Sequence, residues 1–116
     1  LAIKKALRIK KTTDFDKIFS AKNSTANKKF VVYQKPSETA HFRVAISVSK
    51  KLGNAVVRNR VKRLVRHALM TLSQNLSTTD FVIICRKGVE TLTFDEVQKN
   101  LTHVLKLSKI YKKDNS

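Results

Sequence analysis

Seven of the 17 residues from Lys50 to Arg66, KKLGNAVVRNRVKRLVR, are Lys or Arg, and none is Asp or Glu. Side chains of this type do not make or break bonds by themselves. Arginine keeps its charge, and its planar fork of donors matches the oxygens of carboxylates and phosphates. The chemistry on offer is recognition of anions, and the arrangement is costly without one. Like charges four residues apart on a helix, such as Lys62 and Arg66, repel by about a few tenths of a kcal/mol, and cations near a helix amino end oppose the macrodipole. An ordinary solvated helix face mixes signs to avoid these terms. Phosphates would reverse them, so the run reads as a nucleic-acid surface. Asn59 within it can bond a phosphate, a 2′-hydroxyl or a base edge.

No other set of residues offers bond-making chemistry. Asp14, Asp16, Asp95 and Glu96 fall in the first turns of expected helices, where capping and the dipole account for them. Cys85 is the only cysteine, so no intrachain disulfide or cysteine cluster can form, and its setting, FVIIC, places it in a buried strand. His41, His67 and His103 are far apart and lack ligand spacing. There is no GxSxG, HExxH, Walker loop or glycine-rich fingerprint. We therefore expect no catalytic residue and no metal site on the protein.

The whole composition supports a polyanionic partner. The chain has 116 residues, with 25 basic against 8 acidic side chains and a formal net charge of +17; such a field repels itself in a compact fold. Residues 1–12 carry Lys4, Lys5, Arg8, Lys10 and Lys11 without an acid, and eight cations lie between Glu38 and Asp80, again without an acid. No apolar run approaches the roughly 20 residues that span a bilayer, and no amphipathic basic anchor or signal peptide is evident. The expectation is one cytoplasmic domain, residues 1–116, with no membrane and no small-molecule substrate.

The elements that must position these residues follow from periodicity. Thr13 to Ala21 predicts a first helix with Thr13 as cap and Phe15, Ile18 and Phe19 on one face. Lys29 to Lys35 predicts a strand ending before Pro36. His41 to Ser49 alternates, with Phe42, Val44, Ile46 and Val48 on one face and Arg43, Ala45, Ser47 and Ser49 on the other. Asn54 then caps the basic helix, whose stripe is Val57, Val61, Leu64, Val65, Ala68, Leu69 and Leu72. Asp80 to Arg86 is an apolar strand covered on both faces. Thr93 to Lys109 is the last helix, opened by a Thr93 and Glu96 capping box. The order is α, β, β, α, β, α, with room for a further short strand near 47–52. Composition alone assigns Phe15, Phe19 and Tyr33 to the core, although a groove of aromatics rimmed by cations would also stack single-stranded bases.

The run ISVSKKLGNAVVRNRVKRLVR, with Arg58, Asn59 and Arg60 as an RNR motif, resembles the signature of the protein subunit of bacterial ribonuclease P. RIKKTTDFDKIF, FVVY, FRVAISVSKK, DFVIICRKG and LTHVLK match that family's order along nearly the whole chain. The resemblance implies an α+β fold, a two-layer α/β sandwich with a mixed sheet of three to four strands, three helices and a left-handed βαβ crossover holding the RNR helix (ribosomal protein S5 domain 2-like). It implies a ribonucleoprotein endonuclease that removes the 5′ leader of precursor tRNA, with catalysis on the RNA subunit and Mg²⁺ held mainly by RNA and substrate.

By matching position, Lys50, Lys51, Asn54, Arg58, Asn59, Arg60, Lys62, Arg63 and Arg66 would face the catalytic RNA. Phe15, Phe19, Lys22, Tyr33, Arg43, Ser47 and Lys87 would line the cleft for the single-stranded leader, moving the aromatics out of the core. The chain departs from many relatives at Arg86 to Val89, RKGV, where they carry a proline and alanine. From charge alone, a ribosomal or general RNA-binding protein of related fold stays open. A helix-turn-helix DNA regulator fits less well, since a strand precedes the basic helix.

Overall fold

A computed structural model of the chain describes residues 7–112; Lys4 and Lys5 of the first basic group lie outside that range. Its elements are α1 (Thr12–Ser20), β1 (Ser24–Ala26), β2 (Phe30–Pro36), β3 (Arg43–Val48), α2 (Ala55–Thr71), β4 (Thr79–Cys85) and α3 (Phe94–Leu107). The four strands form one sheet in the order β1-β2-β4-β3. β1 and β4 both run antiparallel to β2, and β3 runs parallel to β4. Parallel neighbours need a crossover, and α2 supplies it, so the basic helix links β3 to the central strand β4.

Strand alternation divides the side chains between two faces. Phe30 and Val32 of β2, Val44 and Val48 of β3, and Phe81, Ile83 and Cys85 of β4 enter the main core with Val61, Val65, Ala68 and Leu69 of α2 and Val97, Leu101, Val104 and Leu105 of α3. On the opposite face a smaller cluster forms around Ile9, Ile18 and Val82, with Phe15, Tyr33, Ala45 and Ile84 packed against it. Thus α2 and α3 make one complete layer under the sheet, while α1 covers part of the other face. Because β4 is apolar on both faces, five of its seven residues up to Ile83, from Thr79 on, are buried in succession.

Two helix ends match their sequence signals. Asn54 Oδ1 accepts from the Val57 amide at 3.0 Å, and Thr93 and Glu96 form a reciprocal capping box. The first helix departs from expectation: it begins at Thr12 after Lys11, which gives no side-chain cap, so Thr13 lies inside it. Pro36 closes β2 rather than standing outside it, which a strand end tolerates. The additional short strand is Ser24–Ala26, not a segment near 47–52; Lys50–Leu52 is instead one turn of 3₁₀ helix. Cys85 is buried in β4 with its thiol pushed up to about 12 by desolvation, an inert state.

Candidate nucleic-acid interface

The outer face of α2 is set by three local devices. Gly53, at φ 147°, turns the chain from the 3₁₀ segment into the helix, and a Cβ there would stand 2.9 Å from the Val57 side chain. The Asn54 cap then fixes the first turn, and the buried stripe through Val61, Val65, Ala68 and Leu69 fixes the rotation about the axis. Lys50, Lys51, Asn59, Arg60 and Arg63 are consequently exposed, and Arg58, Lys62 and Arg66 half-buried. Among the described residues, no α2 cation forms an ion pair. The buried Nε of Arg58 meets no protein acceptor among the described residues, a donor of the kind that costs about 1 to 3 kcal/mol to leave unbonded.

The segment after β4 docks against this face through groups that sequence spacing did not connect. Lys87 Nζ donates to the Lys51 carbonyl at 2.9 Å and pairs with Glu90 at 3.0 Å. Arg60 donates to the Glu90 carbonyl, and the Gly88 amide donates to the Glu90 carboxylate at 2.6 Å. Bonding to Lys87, then to backbone amides, holds the Glu90 carboxyl below the usual carboxylate range. Lys87 and Arg60 therefore join the 86–91 segment to the start of α2. Glu90 had no signal in the sequence to mark it.

The second surface lies across the sheet, beside α1. Phe19 is 40% exposed and meets Tyr33 edge-on, with ring centroids 4.9 Å apart. Phe15 and Tyr33 are half-buried against the smaller cluster, so the three aromatics sit outside the main core. Ser47 is exposed on the same sheet face, and Lys22, at φ 55°, follows the end of α1. A cleft of about 200 Å³ opens where this face meets the β3 edge, lined by Arg8, Ile9, Phe15, Val44, Ala45, Ile46 and Arg66. Arg66 thus reaches from α2 to the border of the aromatic side.

Arg43, like Lys87 among the expected cleft residues, has its charged group already occupied. Its Nε and Nη2 donate to the two carboxylate oxygens of Asp80 at 3.0 and 2.6 Å, and its Nη1 stands 3.5 Å from Asp14. Asp80 is fully buried, with Lys35 also 3.7 Å away. Burial alone would raise the Asp80 carboxyl, but the Arg43 bonds, the Ser37 hydroxyl and Lys35 together hold it below the usual range. Asp14, expected only to favour the helix dipole, is therefore an ion-pair partner as well. The Arg43 and Asp80 register, opposite one another in β3 and β4, is the signal that single-strand patterns miss. Among the described residues no group of three His, Cys, Asp or Glu side chains is placed to hold a metal ion.

A sequence model described as Ribonuclease P matches residues 3–109. The chain belongs to the ribonuclease P protein family. It is 65% identical over 111 residues to the ribonuclease P protein component of Lactococcus lactis subsp. lactis, covering 96% of this chain and 95% of that one. The component of Streptococcus thermophilus is 56% identical over 110 residues, covering 95% and 99%. Among solved structures, the Staphylococcus aureus RNase P protein superposes with a TM-score of 0.86 at 43% identity, covering 93% of this chain and all of that one. The Thermotoga maritima RNase P protein gives 0.78 at 30% identity, covering 86% and 96%. The α+β architecture expected from the motifs is thus the family's own.

Proposed function

We propose that this chain is the protein subunit of a cytoplasmic ribonucleoprotein that removes the 5′ leader from precursor tRNA, the RNA subunit carrying the catalysis. The observation that supports it most is the division of the surface into two chemistries on opposite sides of one sheet. On one side α2 presents cations that no acid among the described residues neutralises, suited to the phosphates of a folded RNA. On the other, Phe15, Phe19 and Tyr33 offer π-faces to a single strand, which stacks without choosing among bases. Lys50, Lys51, Asn54, Arg58, Asn59, Arg60, Lys62, Arg63 and Arg66 are assigned to the RNA subunit; Phe15, Phe19, Lys22, Tyr33 and Ser47 to the leader, with Arg43 at its border. Lys87, expected with the leader set, is held at the start of α2 by the Lys51 carbonyl and Glu90 and is assigned to the edge between the two surfaces.

The catalytic RNA and the substrate are assigned the Mg²⁺ ions. The deepest carboxylate, Asp80, is taken up by Arg43 and Lys35. Among the described residues no helix is long and apolar enough to cross a membrane. What the protein contributes in this reading is alignment: α2 fixes it on the RNA, and the cleft holds the leader so that the scissile phosphate meets the RNA's reactive centre. Reconstitution with a bacterial ribonuclease P RNA and Mg²⁺ should give one cut at the mature tRNA 5′ end, and the protein alone should give none. Robust cleavage by the protein alone would sink the assignment. A ribosomal or general RNA-binding role predicts instead recovery of ribosomal RNA in a pull-down.

A further inference from the structure

We infer that Asp14 and Asp80 are positioning residues: through Arg43 they hold α1 against the sheet so that Phe15 and Phe19 face the leader, a role that rests on the leader reading above. The guanidinium is the hub. Nε and Nη2 are fixed on Asp80, and Nη1 reaches Asp14 on α1 at 3.5 Å, so one side chain ties β4, β3 and α1 together. Asp80 has no exposed surface, which makes its end of the tie rigid.

The helix needs such a tie. It has nine residues, no side-chain cap at its amino end and one fully buried residue, Ile18. A helix this short has little stability of its own, and its place depends on tertiary contacts. Asp14 directly precedes Phe15 and lies just over one turn from Phe19, so its anchor fixes the rotation of both rings. Phe19, at 40% exposure, packs edge-on against Tyr33, and the Asp14 anchor adds a second fixed point one turn earlier in the helix.

The charge pattern points the same way. In a chain with 8 acids against 25 bases, two acids converge on one arginine beside a surface meant for a polyanion. If Arg43 served the phosphates directly, both carboxylates would oppose its work by occupying its donors and repelling the ligand. As a strut they are necessary, and the guanidinium suits the task better than an ammonium, because its fork holds Asp80 through Nε and Nη2 and leaves Nη1 for Asp14.

The two roles predict opposite signs. Holoenzyme is reconstituted from the full chain and a bacterial ribonuclease P RNA, and affinity is measured for a precursor tRNA with a short leader and for the same tRNA trimmed to its mature 5′ end. Asp14→Asn should reduce the preference for the leader-bearing form by about fivefold or more, the low end of one stacked base. Asp14→Glu should recover most of it. Asp16→Asn, which removes the same charge from an exposed position on the same helix, should leave the preference intact or raise it slightly. Preference that rises in Asp14→Asn, or matches Asp16→Asn, overturns the positioning role while the leader reading stands. A wild-type protein without leader preference overturns both. Should thermal melting show Asp14→Asn unfolded at the assay temperature, Arg43→Lys decides: a strut loses the preference, whereas a direct phosphate contact largely keeps it.

Discussion

The two faces of the sheet use charge in opposite ways. On α2 the cations have no acid partner among the described residues, and the helix beneath them is long, capped and buried along a full stripe. Beside α1 the Arg43 guanidinium is neutralised by two acids, and the helix is short. A surface that keeps its charges free for a partner needs a scaffold that stands without them. A surface whose scaffold is itself held by charge must spend its cation internally and bind by stacking. The first should therefore be steeply sensitive to salt and the second much less so.

Breaking the internal pair should have the largest effect. Arg43→Ala leaves the Asp80 carboxylate buried with only Lys35 and the Ser37 hydroxyl, a loss of about 3 to 5 kcal/mol in urea denaturation. A loss under about 1 kcal/mol would show that the pair contributes little. On α2, Lys62→Ala with Arg63→Ala should lower the salt slope of assembly with the RNA by about 1.4 to 1.8, with unchanged stability. An unchanged slope would remove these residues from the interface. Phe19→Ala should weaken binding of leader-bearing substrate by about 1 to 3 kcal/mol, nearly independent of salt. Equal loss with trimmed tRNA would make Phe19 a packing residue. Asn54→Ala should cost about 1 kcal/mol of stability through the lost cap, read from thermal melts.

The smallest effect is in acid. Asp80 has a lower pKa folded than unfolded, so its stabilisation is complete above the ordinary carboxylate value near 3.8 and is lost as pH falls through the folded value below it. Unfolding free energy measured from about pH 6 to about pH 2 should fall over that window, and Asp80→Asn should flatten the fall.

The sequence was most informative where a pattern is local. Asn54 and the stripe from Val57 predicted the cap and burial of α2, and the Thr93 and Glu96 pair predicted the start of α3, because caps and helical periodicity span only a few residues. The alternation around Val44 placed β3 correctly. Ser24–Ala26 was invisible because three residues carry no alternation and become a strand by pairing with β2. Asp80, Arg43 and Asp14 were each read within their own segment, yet their meaning comes from strand register and from α1 folding over the sheet. The same holds for Lys87, Glu90 and Arg60, which meet because the segment after β4 returns to the start of α2.

The order β1-β2-β4-β3 has a consequence for how the protein is made. β4 lies between β2 and β3 and is the last of the four strands to leave the ribosome, so β2 and β3 have no shared partner until it emerges. The basic helix is synthesised before that strand. During translation, its apolar stripe lacks a completed sheet while its cations are already beside ribosomal RNA. Folding waits on late, non-local strand pairing, a slow class of event. The nascent chain must therefore carry its basic helix without a completed sheet until Thr79–Cys85 closes beneath it.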